Sequence, residues 1–328
     1  MRVLEPHVQA LFDAIPEKDG EVVELAEKIY RLTLDSTTEF LFGESVGSER
    51  AELTQSITSG HSKQTSTTVP EKSKTWFSTG GGKPKEMGFS EALTFAESVI
   101  QRMINLGPLY FLLDGKQYKA ACKTVHAFTD YFVERACSRK REGVTLTSES
   151  RFILADALAA EITDPIELRT QLLNILLAGR DTTASLLSFV FLMLSQHEHV
   201  FARLRNEILE SFGTDPENIT FSGMKSVKYL QWVLHETLRL YPAVPFNFRE
   251  AVRDTTLPFG GGRDGKSPIA IMKGEMVYYS VYVLHRREEF WGPDMADFRP
   301  ERWEGRKTGF EFLPFNGGPR ICLGRKWL

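Results

Sequence analysis

The sequence predicts a mainly α chain with a small β portion, and three observations predict it. Apolar residues recur at spacings of three and four over 5–46 and over 89–141, the period of a helix face. The stretch 164–199 is apolar on most sides of a helical wheel. From 255 the pattern switches to alternation rich in Val, Ile and Tyr, the period of a strand.

Residues 5–46 read as two helices. Residues 59–86, "SGHSKQTSTTVPEKSKTWFSTGGGKPKE", are rich in Ser, Thr, Lys and Gly and read as an insertion loop. Helical pattern returns over 89–141, with Arg139, Lys140 and Arg141 where a last turn favours cations. Asp164-Pro165 then offers an N-cap followed by a proline at the first helical position. The helix over 164–199 is expected to be buried nearly all round and to run through the core. A further helix over 224–242 is stopped by Pro242 and Pro245. "IAIMKGEMVYYSVYVLHR" reads as strand and hairpin turning at Gly274. Residues 286–328 carry Pro, Gly, Trp and Arg without periodicity, a long coil. There is no internal repeat.

At 328 residues, with 42% hydrophobic and 25% charged residues, the chain can build a sizeable core. Phenylalanines number 23 against 9 tyrosines, which suits deep apolar pockets. A net charge of −3 provides no basic field for nucleic acid. The three cysteines, Cys122, Cys137 and Cys322, are odd in number and far apart, which argues against a disulfide framework and for a reducing compartment. The charged, amphipathic N-terminus reads as neither signal peptide nor membrane anchor. The apolar run "LLSFVFLML" at 186–194 is too short to cross a bilayer.

"GGGRDGKS", Gly260 to Ser267, matches the phosphate-loop pattern G-x-x-x-x-G-K-S. That loop needs a buried strand before it and a helix after it, so that backbone amides face the phosphates. Here Pro268 and an alternating strand follow, so a glycine-rich hairpin tip is expected and no nucleotide.

"AGRDTTA", 178–184, sets Asp181 inside an apolar helix, where a charge is costly. Gly179 leaves room on one side, and Thr182 and Thr183 can bond back to carbonyls and bend the helix. Two readings stand: proton delivery to a bound ligand, or a kink with a satisfied polar pair. In "HETLRL", Glu236 and Arg239 share a helix face at i, i+3, and the flanking leucines suggest partial burial. A buried pair often needs a third partner, and "FRPERW" offers Arg302. Finally Phe315, Gly318, Arg320, Cys322 and Gly324 fit F-x-x-G-x-R-x-C-x-G. The glycines permit a tight loop whose amides can point at one sulfur and tune a metal it binds. Phe315 can shield that sulfur, and Arg320 can pair with a carboxylate of a large cofactor. Taken alone, Cys322 also fits a buried structural cysteine.

The order "AGRDTT", "ETLR", "FRPERW", "FNGGPRICLG" resembles the cytochrome P450 family of haem-thiolate monooxygenases. The wording "LLAGRDTTA", "FNFREAVRDTTLPFGGG" and "FNGGPRICLG" is most similar to the fungal branch that hydroxylates n-alkanes and fatty acids. The resemblance covers essentially the whole chain apart from 59–86. It implies one partial P450 domain over 1–328 and haem b on Cys322 as axial thiolate. It implies proton delivery by Asp181 and Thr182, and a buried triad of Glu236, Arg239 and Arg302. Haem propionates would meet Arg320 and Arg249, and Ala178, Val244 and Phe246 would line the substrate pocket.

The implied reaction inserts one atom of dioxygen into a C–H bond of a long-chain apolar substrate. NADPH would supply electrons only through a partner reductase. Full-length relatives are expected at the cytoplasmic face of the endoplasmic reticulum membrane. The resemblance also implies a chain truncated at both ends, with the anchor, the N-terminal β region, and the C-terminal helix and hairpin missing. Rival readings are a haem-dependent isomerase or dehydratase of the same fold, and a non-catalytic fragment that retains no haem.

Overall fold

The computed structural model describes residues 3–16, 20, 22–48, 87–142 and 152–326, so the expected insertion at 59–86 lies outside the described residues. The chain forms two compact units, Arg2–Asp181 and Thr182–Leu328.

Among its described residues the first unit is helical: α1 (Glu5–Asp13), α2 (Leu25–Phe42), α3 (Phe89–Leu106), α4 (Lys116–Arg141), α5 (Leu154–Glu161) and the first half of α6 (Pro165–Gln196). The two helices expected over 5–46 are present as α1 and α2. Gly43 ends α2 with φ 80°, a left-handed cap that glycine adopts without steric cost. Alanines at 92, 96, 121 and 136 are buried, which lets α3 and α4 approach closely. The rings of Phe89 and Phe128 stack with centroids 3.7 Å apart, and those of Phe42 and Phe132 at 4.5 Å. The Asp164 cap forms as expected: its Oδ1 accepts from the Ile166 amide at 2.9 Å.

Helix α6 corrects one expectation. It is not buried all round. Leu168, Leu172, Leu176, Arg180 and Ala184, spaced by four, form a buried stripe, while Ile166 is 62% exposed and Phe191 46%. A helix turns about 100° per residue, so an i, i+4 stripe covers only one face. Composition reports how apolar a helix is, not how many neighbours it has. Among the described residues α6 is also the one helix long and apolar enough to cross a membrane, with a mean hydropathy of 1.4 over its best window. The core helix of a soluble protein meets the same criterion.

The second unit continues with α7 (Glu198–Phe212), α8 (Phe221–Ser226), α9 (Lys228–Leu240), α10 (Val281–Leu284) and α11 (Glu288–Trp291). The helix expected over 224–242 is divided at Val227, which caps α9. Its core gathers Leu186, Val190 and Leu194 of α6, Leu204 of α7, and Val233 and Leu238 of α9.

Strands β1 (Phe246–Glu250), β2 (Thr255–Gly261), β3 (Ser267–Ile271) and β4 (Met276–Ser280) form two antiparallel pairs. β2 and β3 make a hairpin whose glycine-rich tip holds the phosphate-loop look-alike, and a strand follows it where a phosphate loop needs a helix. β1 pairs with β4 in the register Asn247↔Tyr279. The expected hairpin about Gly274 is therefore corrected. Gly274, at φ 87°, does turn the chain, but the strands on either side of it belong to different sheets. The end of that segment is helical because the Ser280 hydroxyl accepts from the Val283 amide at 3.1 Å and starts α10.

Candidate functional site: a cysteine loop backed by a buried ion cluster

Glu236 and Arg239 sit on the inward face of α9 and are fully buried, beyond the partial burial expected. Arg239 grips Glu236 through two N–H···O bonds of 2.9 Å. Its remaining donors reach the carbonyls of His285 (3.0 Å), Met295 (2.6 Å) and Asp297 (3.1 Å). All five guanidinium N–H groups thus have acceptors. Arg302 comes from a 3₁₀ turn over Pro300–Trp303 and donates Nε–H to Glu236 at 2.8 Å. The Trp303 indole and the Arg299 amide complete the shell of the Glu236 carboxylate at 3.0 Å each. Ions removed from water are tolerated when every lone pair and proton is matched in this way. The cluster pins the aperiodic 286–303 coil to α9, which explains how a segment without periodicity is ordered.

The sequence reading missed His285, which is buried. Its Nε2 accepts from the Leu313 amide at 2.8 Å, and its Nδ1 lies 3.2 Å from the Arg239 carbonyl. An acceptor at Nε2 fixes the neutral tautomer with the proton on Nδ1, which donates to Arg239. Burial pushes the imidazole pKa down to about 4, with the Arg239 and Arg286 charges adding to the effect. One ring therefore joins the ion cluster to the segment that opens the cysteine loop.

That loop runs from Phe315 to Gly324. The Cys322 amide donates to the Phe315 carbonyl at 2.9 Å and closes it. Phe315 is half-buried against the second unit's core. Gly318 has φ 70°. Cys322 itself is free and exposed, which sets aside the buried structural reading. The haem implied by the resemblance fits these residues. A Cβ added at Gly324 would lie in ordinary contact with Sγ at 3.6 Å, which places this glycine directly beside the sulfur. Among the described residues no group of three or more His, Cys, Asp or Glu could hold a metal ion. A bare ion at Cys322 would lack donors; an iron that brings a ring of nitrogens would not.

In the first unit, Gly179 is half-buried on α6, and a Cβ there would sit 3.3 Å from the Thr37 methyl. The room expected beside Gly179 is filled: the glycine serves close approach of α2. Arg180, also missed, takes a leucine's place in the buried stripe and donates to Glu97 and to Thr94, each at 2.9 Å. Asp181 is half-buried, with Oδ1 3.4 Å from Arg180 Nη1. Burial raises its carboxyl pKa, and Arg180 opposes that rise. Burial likewise raises Glu97. A signal for Arg180 was present in the sequence: a second charge beside Asp181 in an apolar helix.

Other expected site residues lie open. Arg249 is exposed on β1 and donates to the Phe248 carbonyl at 2.7 Å. Arg320 is exposed. Val244 and Phe246, beside α9 and on β1, are 44% and 64% exposed. Ala178 is exposed on α6.

The family profile described as Cytochrome P450 matches residues 1–327. "Cytochrome P450 52A13" of Debaryomyces hansenii is 41% identical over all of this chain and 60% of its own length. "Cytochrome P450 monooxygenase g430" of a Fusarium species is 44% identical over 98% of this chain and 55% of its own. "Cytochrome P450 52A5" of Candida maltosa is 43% identical over all of this chain and 59% of its own. The chain thus spans about 55–60% of the length of these relatives. With a profile match over nearly its whole length and four motifs in family order, the chain belongs to the cytochrome P450 family.

Proposed function

We propose that this chain is one partial P450 domain, residues 1–328, of a haem-thiolate monooxygenase that hydroxylates C–H bonds of long-chain fatty acids or n-alkanes. The observation that carries the proposal is an open thiol on a glycine-rich loop, anchored through His285 to a saturated ion cluster. When bound, haem supplies an iron centre that activates dioxygen. Cys322 would give the sulfur that holds the iron, with Phe315, Gly318 and Gly324 shaping the loop around it. Arg249 and Arg320, both exposed, would meet the propionates, Arg249 while also donating to the Phe248 carbonyl. Glu236, Arg239 and Arg302 hold the loop's base.

Asp181, whose carboxyl burial keeps protonated to higher pH than usual, stores a proton, and the Thr182 hydroxyl passes it on. Ala178 in the first unit, and Val244 and Phe246 in the second, each offer exposed apolar surface to the chain of the substrate. NADPH electrons would arrive from a partner reductase, and a full-length relative would act at the cytoplasmic face of the endoplasmic reticulum membrane. The names of the relatives, a monooxygenase among them, support the reading.

The test is turnover. The 328-residue chain, loaded with haem and supplied with reductase, NADPH and a radiolabelled long-chain fatty acid, is expected to yield hydroxylated product that depends on dioxygen. Product formed equally well without dioxygen would support an isomerase or dehydratase instead. Haem uptake without any product would remove the substrate assignment.

A further inference from the structure

Asn316 is the one residue other than glycine with positive φ among the described residues, at 64°. For an ordinary L residue that conformation costs on the order of 1 kcal/mol, and glycine would adopt it freely. The two residues that follow, Gly317 and Gly318, show that the loop uses glycine where it needs freedom. The Asn316 side chain supplies what glycine could not. Its Oδ1 accepts from the Gly317 amide at 2.9 Å and from the Tyr279 hydroxyl at 3.1 Å. Tyr279 lies on β4, paired with Asn247 of β1, and the Arg249 guanidinium lies 5.7 Å from its ring centroid. The strand ribbon that carries a candidate propionate arginine is thereby bonded to the loop that carries the candidate iron ligand.

We infer that Tyr279 and Asn316 form a positioning tie that locks the β1–β4 ribbon to the cysteine loop, and that this tie is the reason position 316 is asparagine. The inference rests on the haem-thiolate reading for its purpose: Arg249 and Cys322 would both hold one rigid cofactor, so their supports must keep a fixed register. The tie itself is a property of the protein alone. It acts on loop geometry and touches no reacting atom.

The test uses four variants of the 328-residue chain: Tyr279→Phe, Asn316→Gly, Asn316→Asp and the Tyr279→Phe/Asn316→Gly pair. Amide hydrogen exchange is read at Asn316 and Cys322 without haem. Both amides are hydrogen-bonded within the loop, to Leu313 and Phe315 carbonyls. Losing the tie is expected to speed their exchange about fivefold in Tyr279→Phe, the effect of one net hydrogen bond. Asn316→Gly gives up the Gly317 bond as well but relaxes the backbone at 316, so its exchange is expected to rise by a similar or smaller factor. Asn316→Asp keeps an acceptor and tolerates positive φ, so it is expected to exchange as the unaltered chain does. The double variant is expected to exchange as Asn316→Gly does, because that substitution has already removed the tie.

In haem-loaded, reduced, carbon monoxide-treated samples, the same three tie-breaking variants are expected to lose part of the thiolate-ligated band to the band of haem without thiolate, and Asn316→Asp to retain it. Unchanged exchange in Tyr279→Phe, or additive effects of the two substitutions, would overturn the tie and leave backbone preference as the cause. Because exchange needs no haem, a chain that failed to take up haem would count against the oxygenase reading while the tie is still decided by exchange.

Discussion

His285 and Leu313 meet through a hydrogen bond of 2.8 Å in which the backbone amide donates to the ring, and the opposite ring nitrogen reaches the Arg239 carbonyl. A neutral, buried imidazole is thus the link between the ion cluster and the cysteine loop. The ring must stay neutral, because protonation at Nε2 would abolish its acceptor.

Acid sensitivity follows from that requirement. In the unfolded chain His285 titrates near its ordinary value of 6.5, while in the folded chain its pKa is pushed down to about 4. Between those values the unfolded state binds the extra proton. The stabilisation is therefore complete above pH 6.5 and drains away as pH falls towards 4, by roughly 3 kcal/mol. Urea unfolding at stepped pH is expected to show that slope and His285→Phe to flatten it. His285→Phe is also expected to cost about 3 kcal/mol at neutral pH by stranding the Leu313 N–H and the Arg239 carbonyl. Equal slopes in both proteins would remove His285 from this role.

Glu236→Gln removes one carboxylate that faces two buried guanidinium groups. Breaking a buried pair from one side leaves an uncompensated charge, so a loss of about 3–5 kcal/mol is expected in chemical unfolding. A loss below about 1 kcal/mol would show that the cluster is solvated and not a structural anchor.

The sequence made this cluster readable for a physical reason. An i, i+3 pair among leucines has one shared face, and a buried pair with spare donors calls for a third member, which a coil arginine at 302 supplied. His285 was not readable, because a single histidine in an apolar run looks the same whether it is filler or a hinge pin. Alternation revealed the strands but could not name their partners, since the register of β1 with β4 depends on contacts across an inserted hairpin. Arg180 was obscured by Asp181 beside it, and the Tyr279–Asn316 bond by the glycine-like look of the loop.

Arg180 is a leucine-position cation, so its removal acts on both carboxyls near it. Arg180→Leu leaves Glu97 without its guanidinium and removes the charge that opposes the burial-driven rise of the Asp181 pKa. The expected result is a destabilised chain, by about 3 kcal/mol, largely rescued by adding Glu97→Leu. In turnover assays the alkaline limb of the pH–rate profile, where the Asp181 proton is lost, should move to higher pH. A limb that stays in place would separate Asp181 from the rate-determining proton step.

Thr182→Ala keeps the helix but removes the hydroxyl proposed to pass a proton. NADPH consumption is expected to continue while product falls several-fold and peroxide rises, measured together in one assay. Fully coupled turnover in this variant would exclude Thr182 from proton delivery.

The most direct test concerns the sulfur at residue 322. The 328-residue chain is expressed with haem supplied, reduced and exposed to carbon monoxide, beside a Cys322→Ala variant. The expected result is a red-shifted Soret band of thiolate-ligated iron in the unaltered chain and its loss in the variant. The same spectrum from both proteins, or no such band from either, would contradict the assignment of Cys322 as the iron ligand.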